Sequence, residues 1–309
     1  MKFWKTEEYK PSFMHARLAT AHYSKSFFVS TMLLPPERRW ATFALYNFCR
    51  YVDNLIDNPR ERSIAELKNE VECFRNELLL AYQKGESEHP IIKPYIFIAK
   101  RYGIPMEYPL DLLKGVLMDI EIARYDSFEE LYLFCYRVAG VVGLMMTYVL
   151  GYNDDKAFEY AEQLGIAMQL TNILRDIKED KDMQRIYLPL QELQQFKLSE
   201  SDIIEERYNG HLKHFMRFQT KRAHDYYEMA APGIPMLNAE SRYAISSASK
   251  IYRGILHKIE ARDYNPFKGR VYVPFMKKMG ILSWELFRTR LLDAMFVKNN
   301  KTQQPVGKK

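Results

Sequence analysis

The chain has 309 residues, of which 47% are hydrophobic and 27% charged, a composition typical of a globular protein with one large domain or two small ones. The net charge of +6 lies largely in C-terminal lysines and is too diffuse to indicate a nucleic-acid-binding protein. We find no signal-peptide core and no run of about 20 apolar residues, so we expect a cytoplasmic protein without a membrane-spanning helix, in peripheral contact with a membrane at most.

Apolar residues recur at three- and four-residue spacing in several stretches, which predicts amphipathic helices. In chain order these stretches are residues 36–57, 63–83, 128–150, 156–180 and 212–229. Turn-forming residues separate them, while alternating β patterns, repeats and linkers are missing. We therefore predict one all-α domain over residues 1–295, followed by a basic, disordered tail at residues 296–309.

Two of the predicted helices each carry a polar stripe within a mostly apolar surface. The stripes consist of Tyr46, Arg50, Asp53 and Asp57, and of Gln169, Asn172, Asp176 and Asp180. Buried carboxylates without partners are costly, and both acidic pairs lie near the C-terminal end of their helix, where the helix dipole disfavours negative charge. A divalent cation between the two pairs would offset both the cost of burial and the unfavourable helix dipole.

The residue types in the stripes indicate which cation and which ligand. Oxygen ligands suit the hard ion Mg²⁺, which commonly binds one or two protein carboxylates and completes its octahedron with phosphate and water. Arg50 and Arg175 lie beside the acidic pairs and suit the remaining phosphate oxygens. One such acidic pair alone is usually a solvated helix face, but two pairs in apolar helices, each beside an arginine, indicate a metal–diphosphate site.

Several longer motifs, in order along the chain, resemble the squalene/phytoene synthase family. They are residues 23–28, 34–39, 44–50, 135–143, 169–176, 185–189, 252–256 and 270–271. The resemblance covers nearly the whole chain and is strongest to bacterial phytoene synthases. It implies a single-domain, isoprenoid-synthase-type helical bundle around a deep central cavity.

The family resemblance also implies roles for individual residues. It assigns catalysis to Asp53, Asp57, Asp176, Asp180, Arg50 and Arg175. It assigns Mg²⁺, or Mn²⁺ in its place, to the four aspartates together with Asn172. It assigns substrate contacts to Ser24, Ser26, Phe27, Tyr46, Gln169, Asn172, Tyr252 and Arg270.

The activity that the resemblance implies is a magnesium-dependent, head-to-head condensation of two prenyl diphosphates through a cyclopropylcarbinyl diphosphate. Residues 23–39 and 124–132 look more like phytoene than squalene synthases, and the small Thr31 leaves room for a longer chain. We therefore expect two geranylgeranyl diphosphates to give phytoene, for carotenoid biosynthesis, without NADPH. Condensation of two farnesyl diphosphates to dehydrosqualene or squalene is the alternative.

Two positions depart from the family pattern. Asn54 stands where many relatives have a second acid, and Phe134 stands where the family usually has a tyrosine implicated in the reaction. The missing hydroxyl leaves open a prenyl diphosphatase, in which water quenches the ionised substrate. A non-catalytic binding or assembly protein is the third reading, but such a protein has no physical need for buried aspartates beside Arg50 and Arg175.

Overall fold

The computed structural model describes residues 2–32, 34–57 and 62–302, apart from the side chains of Ser26, Asp57 and residues 289–302. These ranges form fourteen α-helices joined by short turns, and they contain two isolated β-bridges but no β-strand. The helices are α1 (Lys10–Tyr23), α2 (Lys25–Thr31), α3 (Pro36–Asp57), α4 (Ile64–Lys84), α5 (Ile92–Tyr102), α6 (Glu107–Glu121), α7 (Phe128–Cys135), α8 (Val141–Leu150), α9 (Ala157–Asp182), α10 (Leu190–Gln195), α11 (Glu200–Ile204), α12 (Gly210–Ala230), α13 (Ala239–Ala261) and α14 (Phe275–Thr302). The all-α, single-domain prediction is confirmed.

The polar stripes lie on α3 and α9, whose boundaries agree with the predicted ones to within two residues. α3 begins at Pro36, whose fixed φ suits the first turn of a helix, and its apolar side, including Leu45 and Phe48, is fully buried. α3 ends at Asp57 and α9 ends at Asp182, so both acidic pairs occupy the final turns of their helices.

Two hydrophobic clusters form most of the core, one around each stripe-bearing helix. In the cluster around α3, the buried rings of Phe48 and Tyr95 stack with centroids 3.8 Å apart. The cluster around α9 includes Ile166 of α9 and Phe215 of α12, and both are fully buried. Tyr136 contacts both clusters. The two stripes therefore belong to different halves of the core.

The predicted helix over residues 128–150 is interrupted. A π-helical turn, Tyr136–Gly140, separates α7 from α8. Gly115 of α6 lies so close to this turn that a Cβ atom on it would be 2.8 Å from Cβ of Arg137. This contact joins residues distant in sequence, so the local periodicity of the segment could not show it.

By length and composition alone, the segment Phe128–Leu150 is apolar enough to cross a membrane, contrary to the expectation from the sequence. Half of its apolar window is buried inside the protein. A Cβ atom on Gly143 would be 2.4 Å from the carbonyl oxygen of Ala161, and one on Gly165 would be 2.4 Å from that of Ala139. Glycines on both sides thus let this segment pack backbone to backbone against α9 as a core element.

The C-terminal helix α14 extends through Thr302 and so includes residues 296–302 of the predicted basic tail. Residues 303–309 lie outside the described part of the chain. The assignment of a disordered tail stays a prediction.

Candidate active site

Asp176 is the best-connected acid of the α9 stripe. Its side chain is 18% exposed and is bound by two guanidinium groups. Arg175 donates from Nε to Oδ1 at 2.8 Å, and Arg270 lies with Nε 2.9 Å from Oδ1 and Nη2 3.2 Å from Oδ2. The fold therefore joins three predicted site residues, although Arg270 lies 94 positions from Asp176 in sequence.

Asn172 lies one turn before Asp176 on the same face of α9. Its Nδ2 donates to Oε1 of Gln169 at 3.2 Å, which fixes the orientation of the amide. Its Oδ1 is buried and accepts no hydrogen bond from any described residue. A buried acceptor without a donor is costly, so this oxygen fits a cation ligand.

Asp180, one turn after Asp176, is in an electrostatically unfavourable position for an isolated carboxylate. Burial raises its pKa to about 7, the charges of Asp176 and Asp119 add to the shift, and Arg185 opposes it. A cation bound among these acids would favour the ionised form. Asn172, Asp176 and Asp180 together offer the all-oxygen ligand set that Mg²⁺ prefers.

Asp119 of α6 is a further acid of this site that the sequence analysis missed. Its Oδ2 lies 3.0 Å from Nη1 of Arg185, and its Oδ1 accepts a short hydrogen bond from the hydroxyl of Tyr187. Asp119 is the only acid in the apolar run 116–120, and an acid in such a run is the signal that could have found it. A small cavity adjoins the cluster, and its walls are Ile173, Ile177, Asp180, Arg185, Ile186, Tyr187, Leu188 and Ile203.

Phe134, the departure from the family pattern, is buried beside this acidic cluster. Its ring stacks on Tyr187 with centroids 5.3 Å apart and contacts Tyr125 at 5.5 Å. The hydroxyl of Tyr132, two positions before Phe134, donates to Glu162 at 2.5 Å. Tyr187 therefore carries the hydroxyl that lies beside the Phe134 ring and is bonded to a carboxylate of the site.

The α3 stripe is bordered by aromatic rings. Tyr46 stacks on Phe27 with centroids 5.0 Å apart, and the Arg50 guanidinium lies 5.0 Å from the centroid of the Tyr23 ring. Ser24 caps α2, since its side chain accepts from the amide of Phe27. Asp53 is partly buried in the same face of α3. The side chains of Ser26 and Asp57 lie outside the described ones.

Tyr252 of α13 lies near one residue of each stripe, Tyr46 on α3 and Arg175 on α9. Burial raises the pKa of Tyr46 to about 12; Arg50 opposes this shift, whereas Tyr252 and Asp53 add to it. Burial acts to lower the pKa of Arg175, but the hydrogen bond and the charge of Asp176, together with contributions from Tyr252 and Asp180, raise it above its usual value. The sharing of one metal cluster by Asp53, Asp57, Asp176 and Asp180 stays a prediction.

Comparison with known proteins agrees with this fold and identifies the family. The sequence model of the squalene/phytoene synthase family matches residues 20–277 of this chain. The chain is 37% identical to 15-cis-phytoene synthase of Synechocystis sp. over 89% of this chain and 85% of that one, and 37% identical to phytoene synthase of Arthrospira platensis over 91% and 94%. A crystal structure of a dehydrosqualene synthase in complex with ligand aligns with a TM-score of 0.83, 27% identity and coverage of 92% and 98%.

A second solved structure is squalene synthase HpnC from Alicyclobacillus acidocaldarius, which aligns with a TM-score of 0.78 at 24% identity. The alignment covers 85% of this chain and 98% of that one and shows that the two folds are alike. Together the fold and the relatives define an all-helical prenyltransferase. The chain belongs to the squalene/phytoene synthase family.

Proposed function

We propose that the protein condenses two molecules of geranylgeranyl diphosphate head to head to phytoene and depends on Mg²⁺. The observation that carries the proposal is Asp176, half-buried between Arg175 and Arg270 with the unsatisfied oxygen of Asn172 one turn away. The names of the relatives in Synechocystis and Arthrospira support the C40 product.

Asp176, Asp180 and Asn172 would hold Mg²⁺ from α9, and Asp53 and Asp57 would hold it from α3. When bound, the metal would neutralise negative charge on the leaving diphosphate. For Asp176 to become a ligand, Arg175 and Arg270 must release it, and both guanidinium groups are then free to bind diphosphate oxygens in a bidentate manner. We infer that the two arginines exchange a carboxylate for the substrate as it binds.

Apolar side chains continue from the acids along the neighbouring helices. On α9, Leu164 and Met168 precede Asn172 at four-residue spacing and are only partly buried. Val138, Val142 and Met146 form a second partly buried row at the same spacing on the segment packed against α9. These five residues, here called the apolar lane, fit the prenyl chain of a substrate whose diphosphate lies at the acids.

The chemistry needs such a lane because its intermediates react with water. Ionisation of one substrate releases diphosphate and leaves an allylic cation, which water would trap as an alcohol. Attack by the double bond of the second substrate and loss of a proton give the cyclopropylcarbinyl diphosphate. Its ionisation, rearrangement and loss of another proton give phytoene. Because the last step is proton loss, no NADPH is required. The rings of Phe27, Tyr46 and Tyr252 can stabilise positive charge next to the site.

Analysis of the products tests this proposal. The protein is incubated with Mg²⁺ and radiolabelled geranylgeranyl or farnesyl diphosphate, and the extract is separated by chromatography. We expect a C40 hydrocarbon from geranylgeranyl diphosphate. A C30 hydrocarbon from farnesyl diphosphate as the preferred product would contradict the chain length, and a prenyl alcohol as the sole product would contradict the synthase in favour of a diphosphatase.

The proposed place of action is the cytoplasm, with transfer of the product into a membrane. Phytoene is a hydrocarbon without a polar group, so its transfer from the apolar lane into water has a large free-energy cost. Direct contact between the protein and a lipid bilayer would remove that cost.

A further inference from the structure

One face of α14 is apolar and exposed. Met276, Trp284 and Phe287 are 78%, 59% and 59% exposed and follow helical spacing, and the rings of Trp284 and Phe287 lie 6.2 Å apart. Tyr272 and Phe275, just before them, are 73% and 68% exposed. Single exposed hydrophobic residues are ordinary, but five large ones within sixteen positions form a patch that indicates an interaction surface. These five residues are called the α14 patch.

The opposite face of α14 is fixed to the rest of the protein. Glu285 is fully buried and accepts hydrogen bonds from Ser246 and Lys250 of α13. Leu282 is 6% exposed, and Leu286 packs against a small buried cluster. A buried carboxylate held in this way has no favourable alternative position, so the helix cannot rotate to hide the patch.

The part of the sequence that contains the patch is basic. From position 264 to the C-terminus the sequence has ten Lys and Arg residues and two acidic residues, a net charge of +8 against +6 for the whole chain. One of the two acids is the buried Glu285, which pairs with Arg288 at 3.4 Å. The basic residue Lys277 lies exposed next to Met276 of the patch. Aromatic side chains mixed with basic ones are typical of surfaces that bind the interface of an anionic bilayer.

The patch begins next to the candidate active site. Tyr272 follows two positions after Arg270, which pairs with Asp176, and two extended residues span roughly 7 Å. Val273 is buried, and a Cβ atom on Gly254 would be 3.1 Å from its Cγ2 atom, which places this segment against α13 near Tyr252. The start of the patch therefore lies on the side of the protein where Arg270 pairs with Asp176.

We propose that the α14 patch docks the protein onto a bilayer that contains anionic lipids and so gives the hydrocarbon product a path out of water. This inference rests on the proposed function for its purpose, but the docking is a separate physical property. Charge favours this occupant over a second copy of the chain, because residues 264–309 carry a net charge of +8 in the sequence and two copies meeting through this segment would repel each other.

Vesicle sedimentation tests the docking. The full chain is mixed with vesicles of phosphatidylcholine alone or with 30% phosphatidylglycerol, at low and high salt. The test variant carries Met276→Ser, Trp284→Ser and Phe287→Ser. The control carries Ile64→Ser, Leu80→Ser and Met229→Ser, which are 59%, 46% and 47% exposed on other helices. We expect wild type and control to bind anionic vesicles, and the test variant to bind at least about tenfold more weakly.

Equal binding by the test variant and wild type would overturn the docking, as would a wild type that binds no anionic vesicles. A dimer of the wild type in light scattering that the test variant loses, without vesicle binding, would assign the patch to self-association instead. Synthase activity in detergent is measured in parallel. A protein that binds vesicles through the patch but makes only prenyl alcohol would contradict the proposed function and leave the docking intact.

Discussion

The stripes on α3 and α9 keep polar groups in an apolar core by different means. On α9, the charge of Asp176 is balanced by the guanidinium groups of Arg175 and Arg270. On α3, aromatic faces border the stripe, with Tyr46 on Phe27 and Arg50 over Tyr23. A substitution of Asp176 therefore breaks two ion pairs, whereas one of Tyr46 or Arg50 disturbs a contact with an aromatic ring. Both helices are nonetheless expected to hold the same metal cluster.

The largest expected effect comes from removing one carboxylate on either helix. We expect Asp176→Asn and Asp53→Asn each to lower kcat by about 10³-fold or more, because the leaving diphosphate loses stabilisation. Steady-state assays with geranylgeranyl diphosphate measure the loss, and circular dichroism verifies the fold. Near-normal turnover in Asp53→Asn with loss in Asp176→Asn would mean that α9 acts without α3.

A smaller effect is expected from Arg270→Lys. Lysine keeps the charge but loses the planar fork that can bind two diphosphate oxygens, so kcat/KM should fall roughly 10- to 100-fold. Arg207→Lys, an exposed arginine beside Glu205, serves as the control and should leave kcat/KM unchanged. If both variants match wild type, Arg270 serves only as the partner of Asp176.

Asn172→Leu tests the unsatisfied amide oxygen. The leucine is close in size but offers no ligand, so the Mg²⁺ concentration for half-maximal activity should rise about tenfold, with a smaller change in kcat at saturating metal. A titration of activity with Mg²⁺ measures this. An unchanged midpoint would show that the amide oxygen does not serve the metal.

The smallest expected effect is on the stability of the fold rather than on turnover. It comes from Asp180→Asn and can be measured without metal. The pKa of Asp180 is about 7 in the folded protein and ordinarily 3.8, so the folded state binds more protons between these values and loses stability as the pH rises through that window. In EDTA, the variant should therefore have a higher Tm than wild type at pH 8 and a smaller advantage at pH 5.5. Asp225→Asn, at an exposed position, is measured in the same way as the control variant. An equal Tm difference at both pH values would contradict the raised pKa.

The helices could be predicted from the sequence because their signals are local. Apolar spacing and the flanking turn residues placed α3 and α9 to within two residues. The π-helical turn at Tyr136–Gly140 could not be predicted, since it lies against Gly115, a residue distant in sequence. The close packing of Gly165 of α9 against Ala139 could not be predicted for the same reason.

The acids of the site could be predicted from helical spacing, but their partners could not. Nothing local to α9 shows that Arg270 reaches Asp176, and only the family resemblance named it. Asp119 carries no motif, and its role appears only when Arg185 and Tyr187 are brought to it by the fold. Side-chain contacts between remote segments are therefore what the sequence alone leaves open.

Binding of a metal and a diphosphate together tests most directly whether the two helices share one site. Wild type, Asp53→Asn and Asp176→Asn are heated with Mg²⁺, with a non-hydrolysable geranylgeranyl diphosphate analogue, and with both. Shared ligation predicts a rise in Tm for wild type that needs both components and that each single substitution abolishes. A full rise in Asp53→Asn, the variant of the α3 helix, would contradict it.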